Sequence, residues 1–198
     1  MPGMPDPSTG SGHRELVHYA VSDGIATITL DSQHNRNALS QQLVTELVER
    51  LERADADDDA TVVLVRQAGK VFCSGADLSE ATAVGMEEGA RRIVALQRLI
   101  ATMDKPVVTR VAGAVRAGGI GIVAASDLAI SADDATYAFT EVRLGLAPAA
   151  ISLTVLPRMT DRAAALTFLT GDVFTGRDAE RAGLVTRAVP GTELDGAV

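Results

Sequence analysis

The ordered part of the chain opens on alternation. In IATITL, Ala26, Ile28 and Leu30 fall on one side while Ile25, Thr27 and Thr29 fall on the other. That period of two predicts a strand, joined through Ser22-Asp23-Gly24 to a second strand in ELVHYAVS. The period then changes. In SQQLVTELVERLERA, Leu43, Val44, Leu47, Val48 and Leu51 recur at steps of three and four, which predicts an amphipathic helix with Ser40 as its N-cap. DADDDA follows as a solvated turn, because four aspartates at a helix C-terminus oppose its dipole. TVVLVRQ predicts a short buried strand. MEEGARRIVALQRLIATM predicts a second long helix with Ile93, Leu96, Leu99, Ile100 and Met103 inward. KPVVTRVAG, DLAISAD and ATYAF read as extended segments; AISLTVLP, DRAAALTFLTG and TGRDAERAG read as helices. The last begins with a capping box, Thr175 with Asp178, and stops at Gly183. Strands alternating with helices indicate one α/β domain over residues 14–198, preceded by a Pro/Gly/Ser-rich flexible tail over 1–13.

Composition sharpens this picture in a few places. Apolar residues make up 46% of the 198, with no Trp, so the core is aliphatic, as suits strands covered by helices on both faces. The net charge of −8, with no basic run, argues against a nucleic-acid partner. No stretch of eighteen apolar residues predicts a membrane span, and the N-terminus lacks the order of a secretory signal, so a cytoplasmic location is expected. The single cysteine, Cys73, excludes an internal disulfide framework and a Cys-rich metal site; it reads as a small buried residue, and no metal is expected.

The segment RAGGIGIVAASD, residues 116–127, is where chemistry is first visible. Gly119 to Ala124 fits the dinucleotide fingerprint G-x-G-x-x-A, with Asp133 and Asp134 downstream. The context does not fit. Only about eight residues separate Gly118 from the next strand, whereas a parallel crossover needs about a dozen or more. A second reading pairs this loop with FCSGADL. Both follow a strand, lead toward a helix and carry small residues, so a backbone N–H from each could converge on one oxygen and form an oxyanion hole.

Taken in order, HNRNALS, VFCSGADL, KPVVTRVAGAVRAGGIGIVAASDLAIS, FTEVRLGLAP and FTGRDAERAGLVTRAVP closely resemble the crotonase family of enoyl-CoA hydratases and isomerases, from about Leu16 to Pro190. The resemblance implies a spiral of ββα turns with a helical C-terminal part. It also implies an acyl-CoA thioester substrate, no cofactor beyond the coenzyme A of that substrate, and assembly as a homotrimer or hexamer. By position within the motifs, the oxyanion donors would be the N–H groups of Ala76 and Gly118. Arg36, Asn37 and Ala38 would line the CoA moiety, with Ala76, Asp77, Leu78 and Ser79 also close to it. Glu141 would be the catalytic acid–base.

Two departures qualify that reading. The hydratases use two glutamates on a water molecule, and the place of the first, three residues beyond Gly118, is held here by Gly121. Glu80 is a conceivable recruit, although it reads as a solvated helix residue. Family members also continue for some tens of residues beyond the GLV…VP motif, whereas this chain stops at Val198. It is expected to be either a fragment or a short member. The sequence therefore predicts an enoyl-CoA hydratase-like enzyme of lipid metabolism, with an isomerase using Glu141 alone as the mechanistic alternative. A non-catalytic acyl-CoA-binding protein is the alternative of another class.

Overall fold

A computed structural model of the chain describes residues 14–77, 79–80 and 85–198, the side chain of Met86 excepted. The predicted tail, residues 1–13, lies outside them, as does Leu78.

Strands β1 (Val17–Ser22) and β2 (Ile25–Leu30) form the antiparallel hairpin expected from the alternation. Ala26, Ile28 and Leu30 are buried and Ile25 is exposed, so the period of two chose the face correctly. Helix α1 (Gln41–Ala56) begins where Ser40 Oγ accepts the Leu43 N–H at 3.2 Å. It runs one turn further than its apolar stripe, through Asp55. That residue's carboxylate is not merely solvated: it accepts the backbone N–H groups of Asp104 and Lys105 at 3.1 and 3.2 Å.

From β3 (Val62–Gln67) onward the chain winds in repeating turns: a strand in one sheet, a short strand in a second sheet, then a helix. The first turn is β3, β4 (Val71–Cys73) and α2 (Met86–Ala101). The second is β5 (Val107–Val111), β6 (Ala114–Arg116) and α3 (Gly118–Ala125). The third is β7 (Leu128–Ala132) and β8 (Thr136–Ala138), closed by a 3-10 turn over Thr140–Leu144 and by α4 (Ala149–Val155). Helix α5 (Asp161–Thr170), strand β9 (Phe174–Thr175), helix α6 (Gly176–Ala182), strand β10 (Arg187–Val189) and the short α7 (Leu194–Ala197) complete the chain.

The larger sheet has the order β1-β2-β3-β5-β7-β10 and is parallel from β2 onward. The smaller has the order β4-β6-β8-β9, parallel except at β8–β9. Because every turn advances one strand in each sheet, the loops that leave the small sheet stack side by side. That stacking brings the segments after β4, β6 and β8 to one place. Apolar burial between the sheets and helices holds the spiral, with Phe72, Ile28, Leu47, Leu96 and Ile120 among the fully buried side chains. A small aromatic cluster, in which Phe139 packs on Phe168 and Phe174 and the latter on Tyr137, anchors β8 and β9 to α5.

The capping box predicted at Thr175 is present: Asp178 N–H donates to Thr175 Oγ1 and the Thr175 N–H donates back to the Asp178 carboxylate. Arg110 donates to Asp195 of α7 at 2.6 Å, which ties the C-terminal turn to the middle of the large sheet.

Candidate active site

A cleft of about 430 Å³ opens where the three loops meet. It brings together Ala76 and Asp77 from the loop after β4, Ala117 and Gly118 from the loop after β6, and Glu141 from the 3-10 turn after β8. Leu39, Ser40, Gln41 and Val44 at the start of α1 form one wall. Gly89, Ala90, Arg92 and Ile93 of α2 form a second, and Leu144 to Ile151 a third.

The two loops carrying the expected oxyanion donors are fixed by their backbones. Leu39 N–H donates to Gly75 O at 2.8 Å and Ser74 N–H to Arg36 O at 3.1 Å, which stitches the 36–39 segment to the 74–76 segment. Ala117 N–H donates to Ala138 O at 3.2 Å, holding the second loop to β8. Neither the Ala76 N–H nor the Gly118 N–H has a hydrogen-bond partner among the described residues. For Gly118 the reason is geometric, since it is the first residue of α3 and an opening helical turn leaves its N–H groups unpaired. The positive end of that helix lies behind it. Two unpaired N–H groups in one cleft are what a developing oxyanion needs.

Glu141 is the third component. One of its carboxylate oxygens, Oε2, is buried without a hydrogen-bond partner among the described residues. Burial raises its pKa above that of an ordinary glutamate, with its own backbone N–H opposing in part. An unsatisfied buried carboxylate is costly, and Glu141 lines the wall of the cleft.

Asp77 and Glu80 also line the cleft, but their carboxylates are engaged. Asp77 Oδ1 accepts the Ser79 N–H and hydroxyl at 3.0 and 2.6 Å, and its other oxygen accepts from Asn35 Nδ2. These bonds hold its pKa below the usual carboxylate range, the Ser79 hydroxyl first among them. Asp77 is therefore held in a local turn with Ser79. Glu80 is more than a solvated helix residue: its carboxylate accepts the Gln41 N–H at 2.7 Å and so caps the first turn of α1.

The structure does not bring Asn37, Ala38, Arg36 or Ser79 to the cleft wall. Asn37 is 1% exposed and both ends of its amide are engaged, accepting the Ser32 N–H at 2.6 Å and donating to Val71 O at 2.8 Å. With φ of 60° and 53°, Arg36 and Asn37 form a tight left-handed turn that this amide locks. Ala38 is buried and Arg36 exposed. Their place at the cleft is taken by the next residues, Leu39 to Gln41, which were legible in the sequence only as the start of a helix.

Position 121 is closed. A Cβ on Gly121 would stand 2.8 Å from the Gln97 amide and 2.9 Å from Ile151 Cγ2. Arg116, whose role the sequence leaves open, fastens β6 to β8 by donating to Val115 O, Thr136 O and Thr136 Oγ1. Cys73 is fully buried, and burial pushes its thiol up to about 12, far from a nucleophile's range. Among the described residues no three His, Cys, Asp or Glu side chains converge as a metal site, and no helix is long and apolar enough to cross a membrane.

Two sheets wound by ββα turns, with a cleft where the loops after β4, β6 and β8 meet, define an α/β spiral of the crotonase type. The family model for enoyl-CoA hydratase/isomerase matches residues 20–197, and the chain belongs to that family. A Thermus thermophilus protein bearing the enoyl-CoA hydratase name is 34% identical over 178 residues, which cover 86% of this chain and 70% of that protein. Hydroxycinnamoyl-CoA hydratase-lyase from Pseudomonas fluorescens is 32% identical over 196 residues, covering 94% and 71%. The crystal structure of an enoyl-CoA hydratase from Mycobacterium avium superposes with a TM-score of 0.84 at 44% identity, covering 93% of this chain and 73% of that one. The chain thus spans about seven tenths of the length of these relatives.

Proposed function

We propose that the protein acts on enoyl-CoA thioesters in the manner of an enoyl-CoA hydratase. The thioester oxygen would lie between the Ala76 and Gly118 N–H groups, and Glu141 would carry the proton. The observation that supports this most is the meeting, in one cleft, of two unpaired backbone donors with a buried carboxylate that lacks a partner. In hydration, Glu141 would take a proton from water as the hydroxyl bonds to C3. The electron pair then moves onto the thioester as an enolate, held by the two N–H groups, and the proton returns to C2.

A second reading is favoured by the closed space at Gly121. In the hydratases two glutamates share the water, and here the first has no counterpart at the corresponding position. One carboxylate suffices for a double-bond shift, in which Glu141 removes a proton at C2 or C4 and returns it at the other carbon. Purified protein with crotonyl-CoA tests the first reading: hydration removes the enoyl-thioester absorbance. A 3-enoyl-CoA tests the second, since isomerisation creates that absorbance. Binding of butyryl-CoA with neither change would leave a binding protein, and no binding would sink both readings.

A homotrimeric or hexameric assembly belongs to the same proposal. Leu153 of α4, Leu156 just after it, Leu166 and Leu169 of α5, and Val173 are all at least half exposed, an apolar surface that suits subunit contact. Sedimentation of the purified chain tests it; a monomer at tens of micromolar would count against it.

A further inference from the structure

Gln97 is an uncommon side chain to find one layer behind an apolar wall. It lies on α2 and is 2% exposed. Its Nε2 donates to Ile93 O at 3.0 Å, within its own helix, and to Ala150 O at 3.2 Å, across to α4. Its Oε1 accepts the Thr154 hydroxyl at 2.6 Å, and that hydroxyl also lies 3.3 Å from Gly121 O on α3. One amide therefore joins α2 to α4 with both of its ends used, and the Thr154 hydroxyl it holds lies against α3.

The residues it grips form the cleft. Ile93, Ala150 and Ile151 all line the wall, and Ile93 Cδ1 reaches to 3.7 Å from the point where a Cβ on Gly118 would stand. Gly121 is what admits the amide: any side chain there would fall 2.8 Å from the Gln97 carboxamide, closer than real contacts come. The pairing is reciprocal. Gly121 leaves the space, Gln97 fills it, and Thr154 completes the amide's hydrogen bonds, so that a buried polar group is fully satisfied.

We infer that Gln97 is a positioning residue of the proposed acyl-CoA site: seated in the space left by Gly121, its amide ties the Ala150–Thr154 turn of α4 to α2, packs against α3 at Gly121, and so sets the acyl wall opposite Gly118. The inference rests on the proposed function for its ligand, but not for the Gly121–Gln97–Thr154 packing. It also implies that Gly121 and Gln97 act as a pair. A glutamate placed at 121 must displace the Gln97 carboxamide from its hydrogen bonds, and a small residue at 97 removes that conflict.

The test uses the full chain and butyryl-CoA, a saturated thioester that binds without reacting, followed by crotonyl-CoA for turnover. Gln97→Met keeps the volume and removes the hydrogen bonds. It is expected to weaken butyryl-CoA binding and raise KM about tenfold, with kcat changed less than threefold because Glu141 and the two N–H donors stay in place. Thr154→Val should move KM in the same direction, and Thr154→Ser, which keeps the hydroxyl, should restore it. A merely structural role would lower the melting temperature while leaving Kd and KM unchanged, and that result overturns the inference. Packing is read separately by melting Gly121→Ala, Gln97→Ala and the double variant. The double variant is expected to melt higher than the sum of the single losses predicts, because Ala at 97 makes room for the new Cβ. Additive losses would overturn the pairing. Absence of any acyl-CoA binding by the unmodified chain would sink the proposed function, while the melting cycle would still decide the packing.

Discussion

Ala117 Cβ stands 3.0 Å from the point a Cβ on Gly75 would occupy, and both residues hold backbone angles that L side chains rarely adopt, φ of +45° and +96°. This contact is the junction between the two loops that carry Ala76 and Gly118. Each loop turns sharply after its strand, and each does so one residue before its unpaired N–H. The relative placement of the two donors therefore depends on how closely these two residues approach.

That junction yields the first prediction. Gly75→Ala adds a Cβ to a positive-φ position and forces it against Ala117, so it is expected to destabilise the fold by about 1–3 kcal/mol and to depress turnover more than stability alone explains. Ala117→Gly removes strain from a non-glycine residue at φ +45°, ψ −119°. It is expected to be neutral or stabilising by up to about 1 kcal/mol. Chemical denaturation of both variants checks the pair; a destabilised Ala117→Gly would mean its methyl group is more important than its strain.

Glu141→Gln removes the proposed proton carrier and leaves its shape. Turnover of whichever enoyl-CoA is the substrate should fall by about 10²–10⁴, while butyryl-CoA should bind within a few-fold of the unmodified chain. Calorimetric titration beside the absorbance assay separates the two. Unchanged turnover would remove Glu141 from the proposed mechanism.

The same residue gives a pH dependence. If the reaction starts from ionised Glu141, the rising limb of kcat/KM lies above the pH at which an ordinary glutamate ionises, because burial raises this pKa in the free protein. For stability the sign is opposite to that of a salt-bridged carboxylate. The folded state binds the Glu141 proton more tightly than the unfolded state does, so stability falls as pH rises from the unfolded pKa through the raised folded one. Glu141→Gln should therefore melt higher than the unmodified chain near neutrality. That advantage should vanish in acid, below the ordinary glutamate range, as a set of melts from pH 4 to 8 would show.

Asn37 offers a prediction away from the chemistry. Its amide holds Ser32 N–H and Val71 O in a buried turn, so Asn37→Ala should cost on the order of 2 kcal/mol through two orphaned backbone groups. Since Leu39 to Gln41 follow directly, KM should rise with little change in kcat. Asn37→Asp keeps the acceptor for Ser32 N–H but faces Val71 O with a carboxylate oxygen, and should recover little.

Local patterning carried much of the fold in this sequence. The β1–β2 hairpin, the Ser40 cap and the Thr175–Asp178 box follow from neighbours within a few residues, and each is where the sequence predicted it. Glu141, Ala76 and Gly118 were reachable only through the family motifs, since no spacing in one chain says that three loops more than twenty residues apart share a cleft. The small sheet was the least visible element: β4, β6 and β8 are three residues each, too short for periodicity to show. The walls made by α1, α2 and Leu144–Ile151 were hidden because apolar residues facing a cleft look like those facing a core. Gln97 was passed over for a related reason. A lone polar residue within an apolar stripe carries no signal of its partners, which lie 53 and 57 residues away.

Cys73 lies directly beneath the junction of the two loops. A Cβ on Gly119 would come 2.6 Å from the Cys73 Cβ, and the Gly75 N–H points at its sulfur at 3.4 Å. As the sole thiol of the chain, wholly covered and held in its protonated form, it is shielded from alkylating reagents for as long as the loops stay packed over it. The pace at which it becomes labelled is thus a clock for the separation of those loops, and a ligand that clasps them together would be seen to slow it.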